Sequence, residues 1–189
     1  MTQHGPLGPP GSGGGQNAAP PEFDPVPRLS MPRAIEGRPD GKGLRISIAC
    51  ARFNAAVCER LLAGAVSELE RLGVRTEDII IARVPGAFEL PLTALHLARG
   101  GADAVICLGA VVRGETPHFE YVAGATAGGI ARVAEQTGVP VLFGVLTTET
   151  WEQALERAGG RAGNKGTEAA AGAVEMANLV RALGRGRRP

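Results

Sequence analysis

Four short apolar runs rich in β-branched residues, LRISIAC, DIIIARV, ADAVICLGAVV and VPVLFGVL, alternate along the chain with segments of helical period. Each run is bounded by glycine, proline or charge, and each is apolar throughout rather than alternating, as strands covered on both faces are. The intervening segments are Asn54 to Leu72, with Val57, Leu61, Ala65 and Leu69 on one face, then Leu90 to Arg99 and Phe119 to Gln136. After the fourth run come Thr150 to Ala158 and Gly166 to Leu183, the latter with an apolar stripe through Val174, Ala177, Leu179, Val180 and Leu183. Strict alternation of strand and helix leaves few topologies open, because parallel neighbours need long, right-handed crossovers. The expectation is one α/β domain: a four-stranded parallel sheet between two layers of helices.

The ends of the chain differ in kind. Nine of the 14 prolines precede Gly43, within an opening stretch that reads GPLGPPGSGGGQNAAPPEFDP. Such a segment cannot bury enough apolar area to offset its ordering entropy. Residues 1–42 are therefore expected to be a flexible extension, in which Phe23, Val26 and Ile35 are the side chains able to dock elsewhere. Residues 43–184 form the domain, and residues 185–189 a short basic tail. The net charge of +1 and sequence pI near 7.8 give no electrostatic footprint for nucleic acid. No apolar run approaches a membrane span, and the N-terminus lacks the pattern of a signal peptide. Cys50, Cys58 and Cys107 form no CxxC pair and fall in apolar segments, so they read as buried thiols of a cytoplasmic protein.

In an open parallel sheet, ligands bind beyond the carboxyl ends of the strands. The first such loop holds Arg52, Phe53 and Asn54; Phe53 reads either as a stacking surface for a planar heterocycle or as a core-closing residue, with Asn54 as a helix cap. The second, Val84 to Glu89, offers close backbone approach at Gly86 and Ala87 and an acceptor at Glu89, although a glycine followed by an acid is also common capping chemistry.

The third loop, Arg113 to His118, is the strongest local signal. Thr116 reads as an N-cap and Pro117 as the first helical residue, which leaves free N–H groups and a hydroxyl at the positive end of a helix, an anion site. His118 follows directly, an imidazole able to exchange protons near neutrality or to serve only in packing. His4 falls in the expected extension and His96 lies mid-helix without acidic or cysteine neighbours, so neither makes a metal motif. The fourth run ends in Thr147, Thr148 and Glu149, followed by Arg157 and the glycine-rich turn AGGRAGNKG with Arg161 and Lys165. These cations can reach a phosphate, or simply solvate a turn.

The strings ARFN, VPGAFELP, LGAVVRGETPHFEYV, GVPVLFGVLTTET and EQALERAGGRAGNKG, in this order and spacing, resemble the lumazine synthase family over residues 44–183. The resemblance implies a flavodoxin-like three-layer sandwich. It also implies a transferase of riboflavin biosynthesis that condenses 5-amino-6-(D-ribitylamino)uracil with 3,4-dihydroxy-2-butanone 4-phosphate, with no cofactor and no metal. On matching positions it makes His118 the acid/base residue and Phe53 the aromatic that stacks on the pyrimidine. Ala87 and Glu89 become contacts to its ring and ribityl chain, Val111 and Val112 the ring edge, and Gly114, Glu115 and Thr116 the phosphate loop. Phe143, Arg157 and Lys165 match positions that enter the site from an adjacent subunit, Arg157 on the phosphate and Lys165 on the ribityl side. A homo-oligomer with shared sites follows, a pentamer that in many members builds a sixty-subunit shell, with riboflavin synthase as a partner the resemblance allows. The small residues Ala123, Gly124, Ala125, Ala127, Gly128 and Gly129 would let the third helix approach its copies around the axis, or else pack it closely on the subunit's own sheet. The long Gly/Pro-rich arm, and Arg161 where a lysine is common, depart from the family pattern.

Overall fold

The computed structural model describes residues 34–185, so most of the expected extension and nearly all of the basic tail lie outside the described residues. Strand β1 (Ile46–Ala51) leads into α1 (Ala55–Arg71), β2 (Ile79–Val84) into α2 (Leu90–Arg99), and β3 (Ala104–Val112) into α3 (His118–Thr137). Strand β4 (Val141–Thr148) is followed by the short helix α4 (Trp151–Glu156), a two-stranded ribbon of β5 (Ala158–Gly160) and β6 (Gly163–Asn164), and α5 (Lys165–Arg185). The main sheet runs β2-β1-β3-β4 with every pairing parallel. Helices α1 and α5 pack together on the sheet, as do α2 and α3, which gives the expected three layers of a flavodoxin-like fold.

The strand pattern places the core. β1 is buried along its whole length and β3 along all but its last two residues, since both lie inside the sheet. Leu44, Ile46, Ile48, Ile106 and Leu108 are fully buried against Leu61 and Leu69 of α1, Leu90 of α2 and Val174 of α5. Each such side chain contributes about 1.5–3 kcal/mol of burial. β2 and β4 depart from the expectation that all four runs are covered: Ile80, Ile81 and Phe143 are exposed, because both are edge strands. An all-apolar run looks the same at the edge and at the centre, so periodicity does not distinguish them.

Two tight junctions hold the helices. A Cβ on Gly166 would lie 1.9 Å from the carbonyl oxygen of Leu61, so the start of α5 sits directly on the backbone of α1. Gly129 of α3 similarly faces the ring of Pro91 in α2. Ahead of β1, residues 35–43 form no helix or strand but are tied to the body. The Asn178 amide donates to the carbonyls of Arg38 and Asp40 at 2.8 Å each, and the N–H of Gly41 donates to the Leu72 carbonyl at 2.7 Å. The turn expected after α4 folds as the β5–β6 ribbon, with Gly159 and Gly163 at positive φ. Among the described residues, no helix is long and apolar enough to cross a membrane.

Candidate active site

The carboxyl ends of β1, β2 and β3 and the first turns of α3 enclose a cleft of about 380 Å³. Its floor is Ala110, Val111 and Val112 at the end of β3, where Val111 and Val112 emerge from the core half-buried. One wall is Phe53 with the loop Gly86 to Phe88, and the other is Gly114, Thr116, His118, Phe119 and Val122. Eight of the residues singled out in the sequence therefore come together: Phe53, Gly86, Ala87, Val111, Val112, Gly114, Thr116 and His118.

Phe53 does not close the core. Its side chain is 70% exposed and borders the cleft, and its backbone is held in place: its N–H donates to the Pro85 carbonyl at 3.0 Å, and its own carbonyl accepts from the Cys58 thiol at 3.2 Å. Asn54 occupies the cap position of α1 without capping it through its side chain. Its backbone is left-handed, φ 58 and ψ 45, and its amide reaches across to the Ala110 carbonyl at 2.9 Å. Asparagine is among the few side chains that adopt this conformation.

The second loop ends in a 3₁₀ turn over Ala87–Glu89, closed by a Glu89 carboxylate oxygen that accepts from the Gly86 N–H at 3.0 Å. Glu89 thus performs the capping chemistry and does not line the cleft. Phe88, exposed beside it, does, as does Phe119. Neither was singled out in the sequence, although each is an aromatic one residue beyond a candidate site residue in a strand-end loop.

In the third loop the helix begins one residue later than expected. The cap position falls on Pro117, which has no side-chain acceptor, and His118 is the first residue of α3. Among the described residues, the N–H groups of Gly114, Glu115, Thr116 and His118 donate to no backbone or side-chain acceptor, and all four residues are exposed. The loop thus presents unpaired donors at the positive end of a 20-residue helix, the arrangement that favours an anion.

Phe143, Arg157 and Lys165 do not line this cleft. Phe143 is exposed on the edge strand β4, Arg157 ends α4 with its guanidinium on the Gln153 carbonyl at 3.1 Å, and Lys165 begins α5 paired with Glu168. Glu115 is exposed in its loop and is not a lining residue. The three cysteines are free and buried, and burial pushes the Cys58 and Cys107 thiols up to about 12. Among the described residues, no cluster of His, Cys, Asp or Glu side chains has the makings of a metal centre.

Residues 43–181 match the family described as 6,7-dimethyl-8-ribityllumazine synthase. The chain belongs to that family. It is 55% identical over 151 residues to the 6,7-dimethyl-8-ribityllumazine synthase of Desulfatibacillum aliphaticivorans, covering 79% of this chain and 97% of that one. It is 56% identical over 154 residues to the enzyme of the same name from Syntrophus aciditrophicus strain SB, covering 81% of this chain and all of the relative. The matched span holds every element from β1 to the body of α5, so the lumazine synthase resemblance extends over the whole cleft. It stops short of the Gly/Pro-rich arm, which lies before residue 43.

Proposed function

We propose that the cleft condenses 5-amino-6-(D-ribitylamino)uracil with 3,4-dihydroxy-2-butanone 4-phosphate to give 6,7-dimethyl-8-ribityllumazine, inorganic phosphate and water. The observation that carries this reading is the pairing, within one cleft, of an exposed aromatic at Phe53 with an imidazole that follows a loop of unpaired N–H donors. A planar pyrimidine stacks on Phe53, between it and the apolar edge of Val111 and Val112, with Ala87 beside the ring and Glu89 toward the ribityl chain. The loop of Gly114, Glu115 and Thr116 takes the phosphate.

The chemistry requires proton transfer, a held anion and orientation. The pyrimidine amine attacks the ketone and water leaves to form an imine. Phosphate is eliminated, and the second amine closes the ring as another water departs. His118 moves the protons, and the phosphate loop binds the group that leaves.

A single subunit leaves this site short of cations, because the residues that line the cleft include no lysine or arginine. Phe143, Arg157 and Lys165 are exposed and do not line this cleft, which leaves them available to a neighbour. In the proposed assembly they complete the adjacent subunit's cleft, Arg157 on the phosphate and Lys165 at the ribityl end. The outward side of α3 supports a ring built around that helix: Gly124 has open space where a side chain would stand, and Ala125 and Ala127 are exposed, while Gly129 packs inward on Pro91. The proposed assembly is a pentamer, with further closure into a shell and association with riboflavin synthase as finer readings of the same family, in the cytoplasm.

Mixing the purified protein with both substrates tests the reaction. The absorbance and fluorescence of the lumazine appear together with one phosphate per turnover; protein that folds normally and yields neither overturns the reading. Solution mass at micromolar concentration tests the assembly, and a monomer would remove the shared site.

A further inference from the structure

Arg113 stands at the junction of three structural pieces that meet beside the cleft. Its N–H donates to the Thr148 carbonyl at 2.9 Å, which continues the β3–β4 pairing one step past Val112. Its guanidinium Nε donates to Glu149 in the loop after β4 at 2.5 Å, and a terminal nitrogen pairs with Glu120 in the first turn of α3. The guanidinium carbon lies 4.2 Å from the ring centroid of Phe119, which lines the cleft. The residues between these anchors are the loop Gly114 to Pro117 and His118. One side chain thus spans both ends of the segment that presents the unpaired N–H groups and the imidazole, and fastens it to the β4 end.

We infer that Arg113 is the positioning residue of the phosphate loop: it holds His118 and the loop amides in register and neutralises Glu120 and Glu149 beside the anion's place. The inference rests on the proposed condensation and on the keto-phosphate as the substrate held there. Two of the guanidinium N–H groups are engaged by Glu120 and Glu149, so the charge that Arg113 brings to the edge of the phosphate loop is balanced by two carboxylates. A lysine cannot replace the planar fork that reaches two carboxylates and lies over a ring at once.

The two tasks, ordering and neutralising, separate kinetically. In Arg113→Gln both are lost, so the keto-phosphate KM rises several-fold through like-charge repulsion, and kcat falls by about tenfold or more as the loop loses its preorganised geometry. The pyrimidine KM stays near wild type, because the Phe53 wall is anchored elsewhere. In Arg113→Gln combined with Glu120→Gln and Glu149→Gln the repulsion is gone: the keto-phosphate KM returns toward wild type while kcat stays low. Arg113→Lys restores the charge but not the fork, so it resembles the triple variant. Glu120→Gln with Glu149→Gln keeps Arg113 but cuts its tethers; these are exposed positions that fold readily, and kcat is expected to fall without a rise in keto-phosphate KM.

Steady-state kinetics in both substrates, with melting curves and solution mass for each variant, read the result. Wild-type kcat and KM in the folded Glu120→Gln/Glu149→Gln variant would overturn the inference. So would losses in Arg113→Gln that vanish once corrected for the folded, assembled fraction, or a uniform rise in both KM values. Wild-type protein that forms no lumazine would instead overturn the reading of the reaction, which keeps the two failures distinct.

Discussion

The side-chain amide of Asn54 donates to the carbonyl oxygen of Ala110 at 2.9 Å, which fastens the loop after β1 to the end of β3. The bond joins the Phe53 wall of the cleft to its floor, since Phe53 precedes Asn54, and Val111 and Val112 follow Ala110. Asn54 is the only non-glycine among the described residues with positive φ. Asn54→Ala loses the amide and forces alanine into a left-handed backbone, a combined cost of about 2–3 kcal/mol. Asn54→Gly loses the amide but not the backbone freedom, so it costs about 1 kcal/mol less. Denaturant unfolding should rank wild type above Gly and Gly above Ala. The reverse order of the two variants would mean that the left-handed backbone has no energetic weight.

Phe53→Ala tests whether an exposed ring serves binding. Because its side chain is largely in solvent within one subunit, the substitution should change subunit stability by no more than about 0.5 kcal/mol. Stacking acts similarly on the bound substrate and on the transition state, so the pyrimidine KM should rise while kcat changes less. Circular dichroism showing an unfolded variant would return Phe53 to a structural role.

The buried thiols make a pH prediction. Desolvation raises all three, Cys58 and Cys107 to about 12 from an ordinary value of 9.0. Between those values the folded chain keeps protons that the unfolded chain releases, so stability is whole below pH 9 and falls as pH rises toward 12. Replacing Cys107 with Ala should flatten that alkaline slope, read from unfolding curves at pH 8 and 10, even as it lowers stability at pH 7. Native protein at pH 8 should also resist thiol reagents until denaturant is added; rapid labelling of the native state would contradict the burial argument.

The proposed division of labour between His118 and Arg157 can be separated by rate. The substrate's own phosphate and water can relay protons when the imidazole is missing, so His118→Ala should retain turnover, at or below the lower end of the roughly 10²- to 10⁴-fold loss for acid-base groups. Nothing replaces a guanidinium that holds the departing phosphate, so assembled Arg157→Ala should lose more, in both keto-phosphate affinity and rate. Refolding the two variants together should give mixed assemblies more active than the sum of each alone, because some clefts then combine an intact His118 with a neighbour's intact Arg157. Activity that merely adds would place the two residues in one subunit's site, or show that Arg157 does not enter it.

The sequence by itself determined the order of strands and helices, the three layers and the loops that hold chemistry, because hydrophobic period and glycine, proline and capping punctuation are local properties. Helix α2 begins and ends at the expected residues, Leu90 and Arg99. Tertiary structure alone decided that β2 is an edge, since Ile80 and Ile81 sit in a run as apolar as the buried Ile46 and Ile48 of β1. It also decided that Phe53 faces the cleft rather than the core. A lone aromatic in a loop has no period to betray its direction, and its orientation follows from where Pro85 and Cys58 hold its backbone. Arg113 belongs to the same class: its partners Glu120 and Glu149 are 7 and 36 residues away, and only the parallel pairing of β3 with β4 brings the end of one strand to the loop that follows the other.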